Sequence, residues 1–355
     1  MNSTYLDYNA TAPLRPEARD AMISAFDVVG NPSSVHAEGR KARGLVERAR
    51  SSVAELVGCK PSEVVFLSGA TEAASVLRFA AEHAAVCVQD TAHDCVWSHF
   101  DLTHANAGNA VLAMGLANSE TGVITPPTAN EDGTWNFGEI SWHSLFLDVV
   151  QAVGRVPWSF AWSGASMAIL SAHKIGGPKG VGALIVREGT DIEPVLRGGG
   201  QELGRRSGTE NVAGIVGFGV AASAALDELN GGIWEQVEKL RKILENTLAT
   251  EAKETIFVGK DLERLPNTSC FVSPGWKGET QVMQMDLAGF AVSSGSACSS
   301  GKVKVPRVLR AMGLSDVEAE CALRVSLGPQ TTETDVLRFC EAWLKQKRKV
   351  RERAA

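Results

Sequence analysis

"ILSAHKIGGPKGVGALIV", residues 169–186, decides how this chain folds. An apolar run ends at Ser171, His173 and Lys174 follow at once, glycines and Pro178 form a turn, and a second apolar run begins at Gly182. Lys174 therefore stands just past a strand end, the kind of position where ligands of α/β sheets gather. From this stretch alone two readings stand: a surface turn with a solvated lysine, or a lysine whose amine condenses with an aldehyde cofactor.

Working outward, short apolar runs recur on both sides. "EVVFLS" (63–68), "AAVCV" (84–88), "AVLAMGLA" (110–117), "SLFLDVV" (144–150), "MAILSA" (167–172) and "GALIV" (182–186) read as strands. Their continuity, without polar alternation, suits a mostly parallel sheet covered on both faces. Helical spacing separates them: in "KARGLVERARSSVAELVG" (41–58) Val46, Ala49, Val53, Leu56 and Val57 share a stripe that Gly58 terminates. After about residue 228 the character changes. "IWEQVEKLRKILENTL" (233–248) and "TTETDVLRFCEAWLKQ" (331–346) read as amphipathic helices, with "CFVSP" (270–274) and "ALRVSLG" (322–328) as strands of a smaller sheet. "TPPTANEDGTWNFGE" (125–139) reads as an irregular loop.

Composition narrows the function. With 35 Lys+Arg against 41 Asp+Glu the net charge is -6, which argues against direct nucleic-acid binding as the main role. Apolar runs such as "GVAASAAL" (219–226) fall short of the roughly 20 residues a bilayer requires, so no membrane partner is expected. The opening "MNSTYLDYNATAP" lacks a basic start and an apolar stretch, and a cytoplasmic location is expected. Seven cysteines at irregular spacing do not make a disulfide framework. Cys59, Cys87, Cys270, Cys321 and Cys340 lie in apolar or helical surroundings and read as packing residues. Cys298, inside "AVSSGSACSSGKVKVP" (291–306), is set among serines and glycines that no packed core would choose.

Three further stretches bear on Lys174. "LSGATEAAS" (67–75) turns from a strand into a helix and offers backbone amides and the Thr71 hydroxyl to a phosphate. "FLDVVQ" (146–151) ends a strand on Asp148, an acid among apolar neighbours that calls for a cation. "RGGGQELGRRSGTEN" (197–211) supplies more amides and Thr209. Glycine turns are also common structural devices, so each stretch taken singly leaves both readings open. "HAAVCVQDTAHDCVWSHFDLTH" (83–104) superficially suggests a metal site, but it lacks Cys-x-x-Cys pairs and no metal is expected. The basic tail "LKQKRKVRER" (344–353) reads as a solvated helix end.

Taken together, "YLDYNATAP", "GNPSSVHAEGR", "SGATE", "SAHKIGGPKGVGAL", "RRSGT", "SSGSACSSG" and "LRVSLG" occur in the order and approximate spacing of the cysteine desulfurases of the NifS and IscS type, which this sequence closely resembles over nearly its whole length. The resemblance implies a fold-type I, pyridoxal-phosphate-dependent α/β enzyme of the class-V aminotransferase family. It implies a large domain at 12–228 with a mostly parallel seven-stranded sheet, and a smaller α+β domain of residues 1–11 and 229–355 carrying the cysteine loop. Lys174 would carry the cofactor, with Ala70, Thr71, Ser171 and His173 at its phosphate. Thr209 would reach the phosphate of the partner in a homodimer. Asp148 would pair with the ring nitrogen, Gln151 and Ser119 with the ring hydroxyl, and His93 would stack on the ring and assist proton transfer. Arg324, with Asn118 and Ser119, would bind the carboxylate of L-cysteine. Without the resemblance, Arg324 would read as half of a structural ion pair.

By the same resemblance Cys298 takes the sulfur as a persulfide, L-alanine is released, and the sulfur passes to acceptor or iron-sulfur scaffold proteins. The sequence departs from its relatives at Ser119, where a second asparagine is usual, at Val150, at Leu203, and in a shortened 93–118 segment. These departures leave two alternatives: a selenocysteine lyase, or a noncatalytic scaffold derived from the family.

Overall fold

The structure, a computed structural model, describes residues 3–82, 84–103, 110–137, 140–194, 196–295 and 307–354. The chain divides into two compact units: Ala12–Leu116 with Thr125–Asn230, and Met1–Thr11 with Ala117–Ile124 and Gly231–Ala355. Residues 117–124, expected in the large domain, belong to the small unit because their backbone is tied to it. Leu265 N donates to the Gly122 carbonyl at 2.7 Å and Ile124 N to the Glu263 carbonyl at 2.9 Å.

The large unit is built on β1 (Val64–Leu67), β2 (Ala85–Val88), β3 (Ala110–Gly115), β4 (Ser144–Asp148), β5 (Met167–Ser171) and β6 (Gly182–Val186). Every residue of β1, β2, β5 and β6 is buried, as uninterrupted apolar runs require. The sheet order is β1-β6-β5-β4-β3-β2. Pairings from β2 through β5 are parallel, whereas β6 runs antiparallel to both β5 and β1. The carboxyl ends of β1 through β5 therefore share one edge. The expected seven strands are corrected to six among the described residues.

Helices α1 (Pro16–Phe26), α2 (Ala37–Val57) and α3 (Val212–Asn230) belong to this unit. His36 caps α2 by accepting the Gly39 amide, and Gly58, at φ 63°, ends it in the left-handed conformation. Helix α3 has 19 residues and an apolarity sufficient by composition for a membrane span, so the expectation that no run reaches that length is corrected. Close packing explains the composition: a Cβ on Gly219 would lie 2.5 Å from Ala49 Cα of α2, and Ile215, Phe218, Ala221 and Ala222 are buried. The stretch 125–139 is not wholly irregular. Trp135–Phe137 pairs with Ile140–Trp142 in a hairpin that sets Trp135 opposite Trp142, both buried.

The small unit carries β7 (Ile256–Phe257), β8 (Thr268–Val272), β9 (Ser293–Ser294) and β10 (Ala322–Ser326), in the order β7-β8-β10-β9, with every pairing antiparallel. Thr4–Tyr5 pairs in parallel with Phe290–Ala291, and Asp7 bridges to Ser326 at the end of β10. Helices α4 (Ile233–Glu251) and α5 (Glu333–Ala354) complete it. Phe271, Trp276 and Trp343 cluster in its core. The basic tail is not solvated throughout: Lys347 is buried, with Nζ donating to Ser273 Oγ at 2.6 Å and facing Glu254 at 3.4 Å.

Candidate active site

In the large unit, the strand ends gather most of the expected cofactor residues. Asp148 is the last residue of β4 and Ser171 the last of β5, its parallel neighbour; the 3-10 turn Ala172–Lys174 follows directly. Asp148 is only 9% exposed and accepts the Val150 amide at 3.0 Å. Burial pushes its carboxyl above the usual range, while His93, the Val150 amide and Lys174 act in the opposite direction. Such a carboxylate is short of positive charge, as the sequence position suggests.

His93 follows β2 and caps the turn Asp94–Trp97, accepting the Cys95 amide through Nδ1 at 3.2 Å. The Cys95 thiol is 3.1 Å from the same nitrogen and also hydrogen-bonds Thr71. Burial and the neighbouring Asp148 push that thiol up to about 12. Cys95 thus links three expected cofactor residues, His93, Thr71 and Asp148.

Ala70 and Thr71 open the helical turn Ala70–Ala74 behind Gly69. Glu72 in that turn accepts the Ser68 amide at 2.7 Å and Arg206 Nε at 3.0 Å, which ties the turn to the glycine-rich 197–211 loop. That loop is anchored again by Glu202, whose carboxylate accepts both terminal nitrogens of Arg50 at 2.7 and 2.8 Å and the Phe66 amide at 2.9 Å. Glu202 and Leu203 hold φ of 51° and 58°, left-handed values that cost a side-chain-bearing residue energy. Thr209 is exposed beside Gly208. Burial and the charges of Lys174 and Lys179 lower His173 to about 4, so its ring is neutral near pH 7. Gln151 is buried and its Oε1 accepts Arg155 Nη1 at 2.6 Å, and Arg155 also reaches the Lys174 carbonyl at 3.3 Å. A cleft of about 680 Å³ along Arg43, Arg50, Gln201 and Leu203 contains none of the expected site residues.

In the small unit, Arg324 on β10 is 5% exposed. Its Nη2 donates to Asp7 Oδ1 at 2.7 Å and its Nη1 to the Ser119 carbonyl at 3.1 Å, while Nε is buried with no hydrogen-bond partner among the described residues. The Ser119 carbonyl also accepts Asn9 Nδ2 at 3.1 Å. Asn118 Oδ1 accepts the amides of Glu120 and Thr121, both at 2.9 Å, so the side chain builds the turn that presents Ser119. Ser119, a departure in side chain, thus contributes through its backbone. The ion-pair reading of Arg324 holds, since Asp7 is its partner.

Cys298 lies outside the described residues. Of the cysteines read as packing residues, Cys87, Cys270, Cys321 and Cys340 are buried and Cys59 half-buried. Burial raises the thiols of Cys59, Cys270 and Cys340 to about 12 and that of Cys87 to about 11. These are poor thiolates at neutral pH. Among the described residues no group of three or more metal-ligating side chains occurs. Sequence reasoning missed Asp7, Cys95 and Arg155. Only Arg155 had a local signal, a lone cation inside the apolar "DVVQAVGRVPW" (148–158).

The class-V aminotransferase family pattern matches the chain in two overlapping segments, residues 4–144 and 101–339. A cysteine desulfurase of Cereibacter sphaeroides is 38% identical, covering 96% of this chain and 95% of that protein. An IscS-like cysteine desulfurase of Mycobacterium tuberculosis is 34% identical, covering 94% and 93%. Among solved structures, a NifS-like protein from Rickettsia africae superposes with a TM-score of 0.85 at 29% identity, covering 98% of this chain and all of that one. The chain belongs to the class-V aminotransferase family and, within it, to the cysteine desulfurases of the NifS and IscS type.

Proposed function

We propose that this chain is a pyridoxal-phosphate-dependent cysteine desulfurase that converts L-cysteine to L-alanine and receives the sulfur on Cys298. The observation that carries the reading is the strand-end pair Asp148 and Lys174. A buried carboxylate short of positive charge stands at the end of the strand next to the one that delivers a lysine. A protonated pyridine nitrogen is the partner such an acid fits, and a lysine amine is the group that tethers an aldehyde. Bound pyridoxal phosphate supplies an electron sink that weakens the bonds at the α-carbon of an attached amino acid.

Lys174 holds the cofactor and its Nζ takes the substrate's α-proton. Asp148 would keep the ring nitrogen protonated, and His93 and Gln151, the latter oriented by Arg155, would help hold the ring. Ala70, Thr71, Ser171 and neutral His173 receive the phosphate, with Thr209 supplied by the partner in a symmetric dimer. Its exposure beside Gly208 supports that reach. Arg324 binds the substrate carboxylate with its planar fork, and Cys298 Sγ accepts the sulfur as a persulfide for transfer to acceptor proteins of iron-sulfur or thio-cofactor synthesis. A cytoplasmic location accompanies this proposal.

The test is alanine and sulfide production from L-cysteine by wild type and Cys298→Ser, with L-selenocysteine in parallel. Sulfur release that depends on Cys298 is expected. Undiminished release by Cys298→Ser overturns the assigned nucleophile, activity confined to L-selenocysteine identifies a lyase, and no turnover of either by cofactor-loaded protein identifies a scaffold.

A further inference from the structure

We propose that Asp7 is the positioning residue for Arg324, holding the guanidinium ready for the substrate carboxylate. The inference rests on the carboxylate role of Arg324 proposed above and adds a residue to it. Arg324 and Ser293 are register partners on β10 and β9, and both converge on Asp7: Arg324 Nη2 donates to Oδ1 at 2.7 Å and Ser293 Oγ to Oδ2 at 2.7 Å. Each carboxylate oxygen of Asp7 thus has its own partner.

Asp7 is itself held in place. It bridges to Ser326, the last residue of β10, while its carbonyl accepts the Ala10 amide at 3.0 Å and lies 3.0 Å from Tyr5 Oη. The second hold on Arg324 is the Ser119 carbonyl, at 3.1 Å from Nη1. A guanidinium carries five N–H donors. Asp7 and Ser119 take one from each terminal nitrogen, and among the described residues the buried Nε has no partner. Engaged by neither Asp7 nor Ser119, Nε leaves the fork a donor to spare for an incoming carboxylate. A long side chain fixed before binding loses less conformational freedom when its ligand arrives.

The experiment uses the pyridoxal-phosphate-loaded enzyme and compares binding of L-alanine with that of ethylamine, which lacks the carboxylate, by calorimetric titration. Asp7→Asn should weaken L-alanine about ten-fold and raise the KM for L-cysteine about as much, with kcat changed less than about three-fold and ethylamine binding unchanged. Unchanged or tighter L-alanine binding by the folded variant overturns the proposal, as does an equal loss for ethylamine. Should Asp7→Asn not fold, Ser293→Ala decides: a selective loss of L-alanine affinity of about two- to five-fold is expected, and no change overturns the proposal. Arg324→Lys separates the two levels. If it weakens L-alanine while Asp7→Asn does not, only the positioning role falls; if it too has no effect, the assignment of Arg324 to the carboxylate falls with it.

Discussion

His93 Nδ1 lies 3.2 Å from the Cys95 amide and 3.1 Å from the Cys95 thiol, so one ring nitrogen of the expected stacking residue is occupied by its own helical turn. Because a backbone N–H is always a donor, Nδ1 is an acceptor and the proton of the neutral ring resides on Nε2. Nitrogen chemical shifts of His93 should report the Nε2–H form. Cys95→Ala keeps the amide and should keep that tautomer, lowering kcat less than about three-fold, whereas His93→Ala should cost about 10²-fold or more. An Nδ1–H tautomer in wild type contradicts this arrangement.

In the cofactor-free protein, burial makes ionised Asp148 oppose stability. Its folded-state pKa is raised, so the ionised acid costs stability that is progressively lost as pH rises from the unfolded value toward the folded one. Cofactor-free Asp148→Asn should therefore melt higher than cofactor-free wild type at pH 7, by roughly 2–4 °C. Turnover by the loaded variant should nevertheless fall about 10²-fold or more, because a neutral amide cannot hold the ring nitrogen protonated. Calorimetry and steady-state rates check the two halves separately.

His173 has the opposite linkage. Its folded pKa of about 4 is depressed, so its contribution to stability is complete above the unfolded value of 6.5 and lost as pH falls from there toward 4. Proton NMR should find His173 neutral at pH 6. His173→Gln should flatten the decline of melting temperature over that window; an unchanged slope argues against the assignment.

Glu202→Ala removes the carboxylate that pairs with Arg50 and caps the Phe66 amide. Half-buried Arg50 keeps Glu47 and the Val64 carbonyl, so the loss, with the Phe66 amide uncapped, should be about 1–3 kcal/mol, read as a fall in melting temperature of the large unit. Loss of less than about 1 kcal/mol would mean that water replaces the pair, as at exposed bridges.

Much of the large unit was legible because continuous apolar runs admit few alternatives. The six runs read as strands became the six strands of its sheet. The reversal of β6 had a signal in the connection rather than in "GALIV" itself: only residues 172–181 join it to β5, too few for the crossover a parallel neighbour needs. The Trp135–Phe137 hairpin escaped because its strands are only 3 residues long and glycine-bounded. Strand-end residues such as Asp148 announce themselves by a charge in an apolar setting. Asp7 does not, since its partner is remote in sequence, and Cys95 was hidden in a histidine-rich stretch that invited a metal reading.

The tie between Asp7 and Arg324 also has a temporal meaning, because the two residues are 317 positions apart. During synthesis at about 5–20 residues per second, the amino-terminal strand leaves the ribosome roughly 15–60 s before its arginine exists. Residues 12–116 and 125–230 can collapse on schedule in that interval, while the first strand waits as an unpaired edge. Chaperone capture of nascent chains should concentrate on that waiting segment.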